Sequence, residues 1–252
     1  MRTRALPPLL LGAGLLGAWE AYVRLARIDA LLLPPPSAVF SFLAGNTGVF
    51  LRNGAATLEE LLVGFACGVV VGVALGVLMQ LWRWFRAAAY PWLVATQMVP
   101  IPAVAPILVL WFGFTLTPRA VTVALMCFFP VAVSTVDGLG AVNPELLRLL
   151  RSFGAGPWTL VRMAALPSAL PRVFSGMRVA MALSVVGAVV GEWVGSTRGL
   201  GYLMLQYENR GETAGLFATV AVLTAMGIVL FFMVGWAERL VLPWKRHARE
   251  TV

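Results

Sequence analysis

Residues 61–82 read Leu-Leu-Val-Gly-Phe-Ala-Cys-Gly-Val-Val-Val-Gly-Val-Ala-Leu-Gly-Val-Leu-Met-Gln-Leu-Trp, twenty-two positions without a charge. A helix of about 20 mainly apolar residues crosses the roughly 30 Å hydrocarbon of a bilayer, and this stretch has that length and composition. Gly64, Gly68, Gly72 and Gly76 recur every four residues. That spacing puts them on one helix face, where missing side chains let another helix backbone come close. The partner is a helix of the same chain, or a second copy.

Working outward, further uncharged runs cover 5 to 19, 87 to 118, 120 to 136, 179 to 191 and 213 to 237. With boundary residues included, six spans are expected near 6–25, 58–82, 88–113, 119–137, 171–194 and 214–237. The first follows Arg2 and Arg4 as a signal peptide would, but Gly17-Ala18-Trp19-Glu20 leads to no small-x-small cleavage site, so it reads as a retained helix. The whole composition agrees: 60% of the 252 residues are hydrophobic and 12% charged, with a mean hydropathy of +0.87. So few charges cannot cover a water-facing surface of this size. The fold class is all-α integral membrane, with residues 1–252 as a single transmembrane domain.

The net charge of +8 does not point to nucleic acid, because the basic residues fall in short clusters between apolar runs. Such clusters set membrane orientation. With the N-terminus inside, thirteen of the nineteen Arg and Lys fall inside (Arg2, Arg4, Arg83, Arg86, Arg148, Arg151, Arg162, Arg172, Arg178, Arg239, Lys245, Arg246, Arg249). Six fall outside (Arg24, Arg27, Arg52, Arg119, Arg198, Arg210), so both termini are expected on the cytoplasmic side. Cys67 and Cys127 lie in apolar runs and His247 is the one histidine, so no disulfide framework, metal site or imidazole chemistry is expected.

The third span is interrupted by Pro100, Pro102 and Pro106, each of which removes a backbone donor. Irregular backbone at membrane depth is tolerated where protein buries it or water reaches it. Pro100 and Pro102, with Gln97 as the nearest polar side chain, are therefore candidates for a translocation path; a structural kink is the alternative. Glu192 and Trp193, near the outer end of the fifth span, are further candidates for the path or an outer gate. A solvated helix end beside Arg198 is the plainer reading of Glu192. Trp111, Phe112, Phe128 and Phe129 read as core or lipid-facing.

Between the fourth and fifth spans lies the longest inner segment, 143–167. Asn143 suits an N-cap and Pro144 the first helical position. Leu146, Leu147, Leu149, Leu150 and Phe153 form an apolar face beside Arg148 and Arg151, and Gly154 stops the helix. A short amphipathic helix, a glycine turn and a second helix opening toward Leu166-Pro167 suit docking to another protein, or equally an interfacial helix on anionic lipid.

Here the chain resembles the permeases of ABC importers. Gly154 followed by Leu166-Pro167 has the spacing of their cytoplasmic signature loop. Further phrases follow in the family's order: Leu33-Pro34-Pro35-Pro36-Ser37, Thr57-Leu58 with Gly64-Phe65, Pro100 to Pro106 with Leu110-Trp111-Phe112-Gly113, Phe129-Pro130, Leu166 to Pro171 with Gly176-Met177-Arg178, and Gly191-Glu192-Trp193 with Gly199-Leu200-Gly201-Tyr202. Together they resemble the nitrate, sulfonate and taurine group, which includes importers of thiamine-precursor pyrimidines. The closing phrases stand nearer the pyrimidine type. The signature's Glu-Ala-Ala falls on Arg148, Leu149 and Leu150 and its Ile on Ala164, so the acid is absent from its place and Glu145, one turn earlier, is the substitute.

The resemblance implies a type I importer bundle without an ATP site of its own. Lys245, in Trp244-Lys245-Arg246, has no P-loop around it. It implies two cytoplasmic ATPase subunits carrying ATP-Mg, docked on Glu145, Arg148, Leu149, Leu150, Arg151, Gly154, Leu166 and Pro167. A second permease copy and an extracytoplasmic binding protein complete the assembly, in a bacterial inner membrane. A self-contained secondary transporter, or an intramembrane enzyme, would want ionisable groups at mid-span, whereas Glu59, Glu60, Asp137, Glu192 and Glu238 read as span edges.

Overall fold

The computed structural model describes residues 6–243. Arg2, Arg4, Lys245, Arg246, His247 and Arg249, on which part of the charge and nucleotide-site reading rests, lie outside the described residues. Eleven helices follow in order among these residues: α1 Leu6–Leu25, α2 Pro36–Gly45, α3 Thr47–Leu81, α4 Arg83–Ala95, α5 Ile101–Phe112, α6 Leu116–Gly140, α7 Pro144–Ser152, α8 Pro157–Leu160, α9 Leu166–Gly195, α10 Leu200–Arg210 and α11 Thr213–Val241. Among the described residues, four stretches are long and apolar enough to cross a membrane: α3, α6, Pro157–Gly195 and α11; the broken pair Arg83–Met98 and Ile101–Phe112, taken as one span, makes a fifth. The 20-residue α1 lies over the first expected span but is not among these stretches, so at most five of the six expected spans have a counterpart here.

The chain forms two compact units. One comprises residues up to Thr57 with Thr197–Thr224, the other Leu58–Ser196 with residues from Ala225 on.

In the first unit, the Pro35 N-cap of α2 offers no side-chain acceptor, and Glu20 of α1 supplies one. Its carboxylate accepts from the Ser37 amide at 3.0 Å and the Ser37 hydroxyl at 2.8 Å, placing negative charge at a helix N-terminus. Phe42, Phe50 and Tyr207 stack edge to face or tilted in the core. The Gly199-Leu200 phrase has a local reason: Gly199 sits at φ +119, open to glycine. The N-terminus of α10 is satisfied by α3, with Asn53 Oδ1 accepting from Gly199 N–H and Thr57 Oγ1 from Leu200 N–H, both at 2.8 Å.

The second unit is built on α6, with α3 on one side and α9 on another. The glycine face of α3 packs within the chain, which answers whether its partner is a helix of this copy. A Cβ at Gly64, Gly68, Gly72 or Gly76 would come 2.5 to 2.6 Å from Ala120, Val123, Cys127, Phe128 or Thr135 of α6. Gly187 and Gly191 of α9 meet α6 at Val123 and Arg119 in the same way. Lipid tails are as apolar as these helices, so close van der Waals packing holds them. Val123, Cys127 and Val131 of α6 form one core with Ala180 and Ala188; Leu61, Phe174, Met181, Leu230 and Val234 join α3, α9 and α11 in another.

Three boundaries differ from the sequence reading. Helix α3 begins at Thr47 rather than 58 and runs 35 residues, because Arg52, Asn53, Glu59 and Glu60 interrupt the apolar run without breaking the helix. The span expected over 88–113 is two helices bent by 95° at Val99-Pro100. The fifth span, expected over 171–194, continues back through a π turn at Val161–Ala165 to Pro157.

Candidate functional site

The segment between α6 and α9 assembles from local rules. Asn143 Oδ1 accepts from the Glu145 amide at 2.8 Å and Pro144 opens α7, an N-cap with proline at N1. Gly154, at φ +77, closes the helix. Its amide donates to Arg151 O and that of Ala155 to Leu150 O, both at 3.0 Å, the paired bonds of a Schellman end. Gly156 and Pro157 then start α8.

Between Asn143 and Met163 no residue is buried. Leu149 is 53% exposed, Phe153 80% and Trp158 74%, although α7 separates its leucines from Arg148 and Arg151 onto two faces. Glu145, Arg148 and Arg151 make no ion pair among the described residues. An exposed apolar helix face flanked by charges is the kind of patch that marks interaction sites on proteins or membranes.

Behind this surface the chain is continuous. The π turn Val161–Ala165 passes into α9 at Leu166, with Pro167 in its first turn. Ala164, at the signature Ile position, is buried. The end of α6 and the start of α9 are clamped: Arg172 Nη1 donates to Asp137 O at 3.2 Å, and a Cβ on Gly138 would lie 2.9 Å from Ala169 O. At about 1.5 Å per residue, the helical path from Pro157 to Gly195 is roughly 55–60 Å long. The short helix α8 is therefore continuous, through the π turn, with a core helix.

The other candidates separate into two places. Gln97, Pro100 and Pro102 are exposed at the break between α4 and α5, where Thr96–Met98 is a 3-10 turn and Val99 and Pro100 are extended. Glu192 is fully buried in α9, while its neighbour Trp193 is 46% exposed on another face. The reading of Glu192 as a solvated helix end is corrected by that burial. Nor do Glu192 and Trp193 share a surface, as their adjacency in sequence suggested.

Two ion pairs were not legible as such. Arg119, counted above as an outer-loop charge, is 5% exposed in the first turn of α6. It binds the Glu60 carboxylate of α3, donates to Ser196 Oγ at 3.0 Å and to Thr115 O at 3.0 Å. Glu60 is thus not at a helix edge but buried inside α3. Toward the opposite ends of the helices, Arg178 of α9 pairs with Glu238 of α11 and lies 6.0 Å from the centre of the Phe231 ring. The available signal was a lone acid or arginine bordering an otherwise uncharged run. Its partner lies about 60 residues away in each case.

Comparison with known proteins gives consistent matches. The family described as "Binding-protein-dependent transport system inner membrane component" matches residues 68–247. The formylaminopyrimidine transport permease protein ThiX of Halalkalibacterium halodurans is 35% identical over 96% of this chain and 97% of its own. The riboflavin transport system permease protein RibX of Chloroflexus aurantiacus is 35% identical over 92% and 87%, and the taurine transport system permease protein TauC of Escherichia coli 29% over 92% and 87%. Among solved structures, a chain of the MetNI methionine ABC transporter in an inward-facing conformation superposes with a TM-score of 0.61 at 21% identity, covering 79% of this chain and 97% of that one.

Proposed function

Because the chain belongs to the family of binding-protein-dependent transport system inner membrane components and has the fold of a type I ABC importer permease, we propose that it is a gate moved from the cytoplasmic side through residues 143–167. The coarse function, a membrane component of an ABC importer, follows from the family. The finer reading is carried by one observation: an uncovered amphipathic helix, closed by a glycine turn, feeds through a π turn into α9. In this reading α7 and α8 seat in an ATPase subunit, with Leu149, Leu150 and Phe153 supplying apolar contact and Glu145, Arg148 and Arg151 the charges. Gly154 sets the angle between the two short helices, and Leu166-Pro167 joins them to the span.

Closure of two ATPase subunits around ATP-Mg would push the lever of each of two permease copies and bias the bundle between two openings. Residues 1–252 act as one permease domain with both termini cytoplasmic, and the break at Gln97, Pro100 and Pro102 faces the path. An extracytoplasmic binding protein delivers the solute. A pyrimidine of the thiamine-precursor type, or a related heterocycle, is the preferred substrate class, supported by the relatives named for formylaminopyrimidine and riboflavin; a sulfonate is the second reading. Thermal-shift screening of the cognate binding protein against pyrimidines, riboflavin, taurine and nitrate tests this. Stabilisation by taurine with no response to a heterocycle would reverse the preference. Coupling is tested by uptake in liposomes: solute moved by the chain without any ATPase subunit would end the reading.

A further inference from the structure

Helix α4 presents three stripes, and only one serves the core. Phe85, Ala89 and Leu93, four residues apart, pack with Met79, Ala132 and Val136. Arg83, Arg86 and Tyr90 lie on the next face and, with Ala87 and Pro91, line a cavity of about 420 Å³. Trp84 and Trp92 occupy the third face, 73% and 76% exposed, with Trp82 half exposed beside them.

No acid among the described residues pairs with Arg83 or Arg86. Guanidinium groups are cationic and present forked donors that fit phosphate oxygens. Pro91 has no N–H, so the Ala87 carbonyl at the cavity lacks its usual helical donor. Two arginines, a tyrosine and a residue whose carbonyl is left without its helical donor therefore line this cavity. Adjacent exposed indoles suit the boundary between headgroups and acyl chains.

We propose that this cavity binds the headgroup of an anionic phospholipid of the inner leaflet, phosphatidylglycerol being the type. Arg83 and Arg86 hold the phosphate, the glycerol hydroxyls reach Tyr90 and the Ala87 carbonyl, and Trp84 and Trp92 lie along the acyl chains. The inference takes only the side of the membrane from the function proposed above. An ATPase subunit would have less use for three exposed tryptophans beside the arginines than lipid does, which favours lipid as occupant.

The test uses the full-length chain in phosphatidylcholine nanodiscs, without nucleotide or solute, and reads quenching of tryptophan by brominated phosphatidylglycerol or brominated phosphatidylcholine. Preference for the anionic lipid should be about 30-fold for two arginines near the surface. It should vanish in the Arg83→Gln/Arg86→Gln double variant. Arg83→Lys/Arg86→Lys should keep part of it, and the control Arg52→Gln/Arg210→Gln all of it, which separates loss of the site from loss of the fold. Excess inorganic phosphate should not displace the brominated lipid. Retained preference in the glutamine variant, displacement of the brominated lipid by phosphate, or equal quenching of the wild-type chain by the two brominated lipids would each overturn the proposal. Because no transport step is read, failure of the coupling model would leave this result standing, and the reverse.

Discussion

Replacing Gly72 by alanine isolates the packing that joins α3 to α6. The new Cβ would lie 2.6 Å from the carbonyl oxygen of Phe128 and 2.9 Å from Val131 Cβ. The oxygen belongs to backbone in mid-helix and cannot turn away, so the helices must part by roughly 0.8 Å to restore ordinary contact. A gap of about 0.5–1 Å removes a quarter to a half of the dispersion energy of atoms lining it, and overpacking of this kind typically costs about 1–3 kcal/mol. Alanine recovers up to about 1 kcal/mol of helix propensity; with a backbone clash at the upper half of that cost, the net loss is about 1–2 kcal/mol. Gly54 is the internal control: it lies in the same helix with nothing within 4 Å of its Cβ position, so Gly54→Ala should be neutral or slightly stabilising. Reversible unfolding of the full-length chain in mixed micelles reads both. Equal midpoints for wild type and Gly72→Ala, or a larger loss in Gly54→Ala, would refute the close approach of α3 and α6.

Other expectations follow from the same geometry. Glu60→Gln or Arg119→Met alone should destabilise by about 3–5 kcal/mol by stranding a buried charge, while the double substitution should cost less than the sum of the two; additive losses in a double-mutant cycle would mean that the pair is not coupled. Gly154→Pro, or deletion of 148–153, should leave the chain inserted but separate ATP hydrolysis from uptake in proteoliposomes, and normal uptake would remove residues 143–167 as the docking surface. Leu149→Asp with Phe153→Ser should reduce recovery of the ATPase on an affinity-tagged permease with little change in thermal stability, since both side chains are exposed. Gly199→Ala forces a side chain to φ +119 and should lower the unfolding midpoint by about 1–3 kcal/mol equivalent; an unchanged midpoint would place the strain elsewhere.

What could be read from the sequence was what depends on neighbours along the chain. The Asn143 cap, the Gly154 stop and the proline break at 100 are decided within four residues of themselves, so composition and spacing located them. The four glycines of α3 were legible as a face, though their partner was not. Arg119 escaped because a charge at the start of an apolar run looks the same whether it meets water or Glu60, and Glu60 is 59 positions earlier. Glu192 and Trp193 escaped for another reason: α9 is apolar on nearly every side, so periodicity carries no phase with which to tell an enclosed position from an outward one. The unpaired arginines of α4 were counted for orientation alone, which hid their common cavity.

The wide turn at Val161–Ala165 also sets an azimuth. Each such turn accommodates one residue more than regular coiling, so everything before it is rotated by about 100° relative to an uninterrupted helix. Trp158 therefore points where a wheel drawn from Leu166 backward would not place it. Loss of a single residue there would leave the span intact and swing the two short helices through more than a quarter of a circle, turning their greasy side to a new heading.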